Sequence, residues 1–338
     1  MWTDRDRTDI TNGEPPTPQL GRDIKRMAVI FNAGKNRKKV DKYVNLIKKR
    51  APTVEIDVMV TKNLADGFEQ AKQAQKNGFD LLVAAGGDGT LLSVVNALVH
   101  TETLLSILPL GSANDYAKAI GIKGVEDAVE VVCAGVVRQA DAGRCTYQDS
   151  NQQTEQHYFC STAGVGFFAR VAKLEEYAIS VWLKKVLKDA VWPLLGAVAV
   201  FATRHMPATV RLNEHQIKIK MRTLEISKVQ NVAGLFLAPL ASLDNQILDS
   251  WSDHNLTTRQ VWPAFFKIVR NNGTHFHHPN LEYFTSDPKW NRYGYSELTR
   301  IEVEPAEPLP VHLNGDFVGH SPAIFEVVPN ALKILAPR

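Results

Sequence analysis

The stretch Leu81-Leu82-Val83-Ala84-Ala85-Gly86-Gly87-Asp88-Gly89-Thr90-Leu91-Leu92 carries the reading of the chain. Leu81–Ala85 is a short, unbroken apolar run of the kind a strand buried on both faces requires, and Leu91–Val99 reads as a helix. Gly86, Gly87 and Gly89 therefore sit in a strand-to-helix turn. The same alternation extends outward. Met27–Phe31 predicts a strand, Val40–Ile47 a helix, Val54–Val60 a strand, Ala65–Gln75 a helix and Leu104–Leu110 a strand, with helical pieces at Asn114–Ile120 and Val125–Ala134. Strands alternating with helices of ten-odd residues indicate an α/β unit with a mostly parallel sheet.

After about Asp141 the texture changes. Val210–Asn213, Gln216–Met221, Arg300–Val303 and parts of Val311–Val328 alternate at period two, predicting an antiparallel, β-rich half. Ahead of those strands, Val171–Thr203 reads as mostly helical, with Trp182, Trp192 and Phe201 along it. The expected organisation is a flexible tail over 1–24, an α/β nucleotide-binding-type domain over 25–140, and a β-rich substrate domain over 141–316 with a helical insertion at 171–203. The last strands, about 317–338, return to the first domain.

The chain has 338 residues, 44% hydrophobic and 22% charged, which excludes collagen, coiled coil and wholesale disorder. A net charge of +3 is too small to argue for nucleic acid, and no nucleic-acid partner is expected. Cys133, Cys145 and Cys160 are an odd number without a C-x-x-C, which fits a reducing cytoplasm better than a disulfide framework or a zinc site. Met1–Arg7 has no apolar core and does not read as a secretory signal. The longest apolar run, Ala190–Ala202, falls short of the ~18–20 residues that span a bilayer. The chain thus reads as soluble and cytoplasmic, with peripheral membrane contact compatible.

Glycines let a backbone approach a phosphate closely, and a helix N-terminus behind them favours an anion. An aspartate in such a loop is repelled by phosphate unless it binds a metal or accepts a proton, and Asp88 is placed for either. A tight strand–helix turn would also need the glycines, but not the embedded Asp-Gly-Thr. Leu108–Asp115 closes another strand and opens a helix, with Ser112 and Asn114 as capping candidates. Asn32-Ala33-Gly34-Lys35-Asn36 makes a third loop. Loops at the carboxyl ends of strands in one sheet share the crevice where open α/β sheets bind ligands.

Taken in order, Asn32…Gly34, Gly86–Thr90, Gly111-Ser112-Ala113-Asn114-Asp115-Tyr116-Ala117, Ala163-Gly164-Val165-Gly166-Phe167 and Ala331–Leu335 resemble the diacylglycerol kinase catalytic-domain family, with its bacterial lipid kinases and sphingosine and ceramide kinases. The resemblance runs from about Met27 to the C-terminus. It implies Mg-ATP in a cleft between the two domains and a lipid hydroxyl entering mainly from the second. It also implies nucleotide contacts at Asn32, Gly34, Thr61, Gly86, Gly87, Gly89, Thr90 and Ser112, catalytic groups at Asp88 and Asp316, and Mg²⁺ ligands at Asp88, Asp244 and Asp316.

The sequence departs from the family pattern at several carboxylates. Ser93 stands where an acidic residue usually follows the Gly-rich loop, and Phe168 replaces the aspartate of Gly-Phe-Asp-Ala. Asp244-Asn245-Gln246 replaces Asp-Asp-Gly, and Asn314-Gly315-Asp316 replaces Asp-Gly-Glu. Asn314 cannot act as a base, and its neutral amide is a poor Mg²⁺ ligand.

Two functions remain open. The first is ATP- and Mg-dependent phosphorylation of a hydroxyl on a lipid-like or polyketide-like molecule. The second is a kinase-fold protein that has lost phosphoryl transfer and carries out a nucleotide-independent cyclisation or dehydration, or only binds a hydrophobic ligand. An NAD kinase is a weaker reading, because the Asn-Glu pair after the Gly-rich loop is missing. A homodimer is compatible with either. Lys35, Arg37, Lys38 and Lys39 read as a solvated helix start, and Lys48-Lys49-Arg50 as a helix C-terminus. His275-Phe276-His277-His278 lacks the partners of a metal site. Trp182–Phe201 reads as a core helix pair, and Trp251, Trp262 and Trp290 as core or pocket lining.

Overall fold

The structure is a computed structural model describing residues 24–33, 37–175, 203–253 and 296–338. The tail up to 23, Gly34, Lys35, most of the 171–203 insertion with its Trp182, Trp192 and Phe201, His275–His278, Trp262 and Trp290 lie outside the described residues.

Four strands form the parallel part: β1 (Arg26–Asn32), β2 (Glu55–Thr61), β3 (Leu81–Gly86) and β4 (Leu104–Pro109). Every residue of β3 is buried, as are the five internal residues of β1, because helices cover both faces. Those helices are α1 (Arg37–Arg50), α2 (Leu64–Lys76), α3 (Asp88–Leu98), α4 (Asp115–Ala119) and α5 (Val125–Ala134). α1 shows the mechanism: Val40, Tyr43, Val44 and Ile47 recur at helical spacing and are its buried face. The spatial order is β2-β1-β3-β4, all parallel. The chain moves outward from β1 to β2 and then returns past it to β3. The loops leaving β1 and β3 therefore diverge, and the sheet's switch point lies between them.

The remaining strands are β5 (Val136–Gln148), β6 (Thr154–Phe159), β7 (Thr162–Gly166), β8 (Met206–Leu212), β9 (His215–Met221), β10 (Thr223–Ser227), β11 (Asn231–Val232), β12 (Leu235–Phe236), β13 (Leu248–Ser252), β14 (Ser296–Leu298), β15 (Arg300–Pro305), β16 (Pro310–Leu313) and β17 (Asp316–Ala336). Apart from β17's junction with β4, they pair antiparallel. α6 (Phe167–Glu175) follows β7. This bears out the expected α/β plus antiparallel class.

β5 and β17 join the halves. They pair from His320↔Gln148 to Ala336↔Val136, with irregularities that let both strands bend. The end of β17 then runs parallel to β4, Lys333↔Leu104 and Ile334↔Leu105. Each half has its own apolar core. One contains Val29, Val83, Val95, Leu108 and Leu335, the other Phe159, Val165, Leu224, Ile301, Val311 and Phe325. Asn96 on α3 ties them together, donating to Tyr158 O at 2.7 Å while its Oδ1 accepts from Tyr158 N at 2.8 Å.

Candidate active site

The Gly-rich loop is shorter than its sequence suggests. α3 begins at Asp88 rather than Leu91, with Gly87 as its N-cap and no side chain capping it. The first-turn N–H groups of a helix have no partner inside it, and here they face the switch point beside Asp88. The two glycine loops touch through their backbones. Gly86 O accepts from Leu110 N at 2.9 Å and from Gly111 N at 3.1 Å. A methyl on Gly111 would strike Gly87 Cα, and one on Gly86 would strike the Thr90 side chain. Asn114, in the left-handed region at φ 51°, fastens the second loop by accepting from Gly111 N and donating to Gly111 O, both at 2.9 Å. Gly111→Ala must part the loops and is expected to destabilise the protein by about 1–3 kcal/mol, measured by urea denaturation.

Asp88 is held from across the crevice. Asp115 N donates to its Oδ2 at 3.3 Å and Tyr116 N to its Oδ1 at 3.4 Å. Asp115 itself is buried and accepts from Gly234 N, which pins α4 to the β11–β12 turn. Burial, followed by the nearby Asp115 carboxylate, pushes the Asp88 carboxyl up to about 6, against the two amide donors that favour the ionised form. A carboxyl raised this way holds its proton in the folded chain at a pH where the unfolded chain has lost it. Its contribution to stability therefore falls as pH rises from about 4 to about 6. Any activity that needs ionised Asp88 should rise with pH and level off above an inflection near 6, which a pH–rate profile would test.

Asp316 comes from the other half. Asn314 and Gly315 have φ of 48° and 87° and make the two-residue turn between β16 and β17, the conformation that favours Asn-Gly. The turn presses the Asp316 carboxylate against Gly89, where a methyl would collide with Oδ2. Asn314 is buried and uses its amide from both ends. Its Oδ1 accepts from Cys160 N and Ser161 N at 3.3 and 3.0 Å, while Nδ2 donates to Asp88 O at 3.4 Å. An aspartate could not make that last bond.

The turn has a second support, built from residues that the sequence did not single out. Glu225 on β10 and His312 on β16 both lie opposite Gly164 of β7. Without a side chain at Gly164 they meet across it, with His312 Nε2 at 3.0 and 3.1 Å from the two Glu225 carboxylate oxygens. Gly315 N donates to His312 Nδ1 at 3.3 Å, which places the ring proton on Nε2, facing Glu225. Both side chains are buried, and burial raises the Glu225 carboxyl above its usual range despite the histidine. Glu225→Ala would strand a buried N–H and is expected to cost about 1–3 kcal/mol in chemical denaturation.

Residues 26–145 match the family model of the diacylglycerol kinase catalytic domain, a span holding both glycine loops. Over that span the chain is similar to the diacylglycerol kinase catalytic domain. It is 25% identical over 322 residues to the diacylglycerol kinase of Bacillus subtilis (strain 168), covering 93% of this chain and 97% of that protein. It is 26% identical over 287 residues to the probable lipid kinase YegS-like of Chromohalobacter salexigens, covering 83% and 84%. A crystal structure of a diacylglycerol kinase from Bacillus anthracis str. Sterne shares the fold, with TM-score 0.63 and 15% identity over 93% of this chain and 97% of that one.

Several departures from the diacylglycerol kinase pattern have local structural explanations. Ser93 is buried where α2 crosses α3, its side chain so close to Gly67 that a methyl there would collide. A longer acidic side chain has no room. Phe168 packs edge-on against Trp251, ring centroids 5.8 Å apart, beside Val232 and Leu237. Gln246 keeps a left-handed backbone at φ 59°, where glycine would be less strained. Its N–H donates to Asp141 Oδ2 at 2.7 Å.

The other expected site residues fall in different places. Asn32 and Thr61 are paired at the ends of β1 and β2, and the Thr61 hydroxyl donates to Phe31 O at 3.3 Å. Ser112 is exposed at the tip of its loop. Asp244 is exposed and accepts from Ser242 Oγ at 2.8 Å, beside Ala119, Ile120 and Arg138. Among the described residues no three His, Cys, Asp or Glu side chains gather in a metal-holding group, so Asp88, Asp244 and Asp316 do not form one cage. Instead of a carboxylate cluster, the loop around Asp244 has a buried lysine at its centre. Lys228 Nζ donates to Asp141 Oδ2 at 3.1 Å, Asn245 Oδ1 at 3.0 Å and Ile247 O at 2.7 Å. No helix among the described residues is long and apolar enough to cross a membrane.

Proposed function

We propose that this chain transfers the γ-phosphoryl group of ATP, with Mg²⁺, to a hydroxyl on a lipid-like or polyketide-like molecule. Asp88 carries the proposal, since its carboxyl is poised near neutrality beside the uncapped start of α3. A general base works best when its pKa lies near the working pH. In this reading the phosphates lie against the backbone of Gly86, Gly87, Gly89 and Thr90, with Asn32, Gly34, Thr61 and Ser112 around the nucleotide. Mg²⁺ commonly takes one or two carboxylates plus substrate phosphates, so it needs no three-residue cage. Asp316 would hold the ion, with Asp88 near it, and the ion would neutralise charge on the phosphates. Asp88 accepts the proton of the acceptor hydroxyl, whose oxygen bonds to the γ-phosphorus as the bond to the β-phosphate oxygen breaks and ADP leaves. The amides of Asp115 and Tyr116 keep the Asp88 carboxylate aimed while this occurs.

The family's lipid kinases support a lipid acceptor, and the site is proposed to lie where the two halves meet. Calorimetric titration with Mg-ATP beside an Asp88→Ala variant tests the reading. Micromolar binding weakened by the substitution, followed by protein-dependent transfer of labelled phosphate to hydroxylated lipids, is the expected result. No heat at millimolar ATP would overturn it and leave nucleotide-free chemistry on a hydrophobic ligand.

A further inference from the structure

A second gathering of polar groups lies beside the Asp316 turn and has no part in the scheme above. α6 places Arg170 and Lys173 three residues apart on one face. β17 brings Phe317 and His320 against that face. Lys173 Nζ lies 3.5 Å from His320 Nε2 and 4.6 Å from the centroid of the Phe317 ring, and the Phe317 and His320 rings meet edge-on at 5.4 Å. The Nε of Arg170 is buried and makes no hydrogen bond. Among the described residues, no carboxylate forms an ion pair with Arg170, Lys173 or His320. Burial, then Lys173 and Arg170, hold the His320 imidazole below its usual pKa, as expected where positive charge is uncompensated.

Buried donors are nearly always paired, and a guanidinium next to an ammonium repels it unless an anion lies between them. Phe317 directly follows Asp316, so the group lies within a few residues of the proposed transfer site, on the half that the proposed function gives to the acceptor. We propose that Arg170, Lys173 and His320 form a subsite for an anionic group, phosphate or carboxylate, carried by the hydroxyl-bearing acceptor. The acceptor is then an acidic lipid rather than a neutral one. The word acceptor rests on the proposed function; anion binding at this place does not. Arg170 and Lys173 supply hydrogen-bond donors to the anion, His320 donates from one ring nitrogen, and the Phe317 face supports the Lys173 head.

Binding to the full chain tests this without requiring turnover. Lysophosphatidic acid and monoacylglycerol with the same acyl chain, both below micellar concentration, are titrated into wild type, Arg170→Gln and Lys173→Gln, with inorganic phosphate as competitor. The expected result is at least about tenfold tighter binding of lysophosphatidic acid than of monoacylglycerol in wild type. Each substitution should remove most of that preference while leaving monoacylglycerol and Mg-ATP affinity unchanged, and phosphate should compete only in wild type. Equal affinity for the two lipids in wild type overturns the subsite. If the variants lose Mg-ATP affinity in proportion, the anion is a nucleotide phosphate and the acceptor assignment is overturned. A wild type that prefers lysophosphatidic acid as described but transfers no phosphate from ATP supports the subsite and refutes the kinase reading. Unchanged melting temperatures exclude a folding defect, and Lys173→Arg, which keeps the charge, should retain the preference.

Discussion

Asp88→Asn is expected to reduce phosphoryl transfer by about 10³-fold while leaving the melting temperature unchanged or slightly raised. The two halves of this expectation have one cause. Asp88 is held next to the Asp115 carboxylate in a half-buried site, which makes its ionised form costly in the fold. Asparagine keeps the shape, and its single Oδ1 can still accept from one of the Asp115 and Tyr116 amides, but it carries no charge and accepts no proton. A loss of activity without a loss of stability marks a group held in tension for chemistry. Transfer of labelled phosphate from ATP, measured beside a thermal melt, decides it. Activity within about tenfold of wild type would remove Asp88 as the base, because general-base catalysis contributes roughly 10²–10⁴-fold.

The largest stability effect is expected at Lys228. Its ammonium is buried with Asp141, and the pair organises three separate segments. Lys228 reaches Asn245 and Ile247 in the loop before β13, while Asp141 accepts from Gln246 N in that loop and from Asn330 N in β17. Burial lowers the lysine's pKa and Asp141 partly restores it, so the pair holds as a unit. Lys228→Met leaves the buried Asp141 charge without its partner and is expected to cost about 3–5 kcal/mol. At this size that corresponds to a melting temperature lower by roughly 4–7 °C. Adding Asp141→Asn to Lys228→Met should recover part of the loss, because the remaining buried charge is gone. If the double variant is as unstable as the sum of the two single ones, electrostatic pairing is not what holds these segments.

The parts of this protein legible in the sequence are those set by local pattern. β3 reads correctly because a strand covered on both faces must be apolar along its whole length, and α1 because Val40, Tyr43, Val44 and Ile47 repeat at helical spacing. The glycine loops announce themselves because close backbone contact tolerates no side chain, and Asn314-Gly315 because few residues adopt its turn. The start of α3 is not legible in this way, since Asp88-Gly89-Thr90 has the composition of a loop and is made helical by the chain around it.

Glu225, His312 and Lys228 gave no signal of that kind. Charged residues in period-two strands usually face solvent, yet Leu224-Glu225-Ile226-Ser227-Lys228-Val229 is buried throughout. Each charge there is tolerable only because its partner arrives from far along the chain: His312 lies 87 residues after Glu225, and Asp141 87 residues before Lys228. Likewise Asn314 reads as a lost carboxylate until its amide is seen spanning Cys160, Ser161 and Asp88. By itself, the sequence determined the fold class and the loops around the crevice, because apolar period and glycine content act over a few residues. Only the tertiary structure decided which carboxylates meet, which charges are paired and where cations stand without an acid, because those outcomes depend on neighbours that strand order, not chain order, brings together.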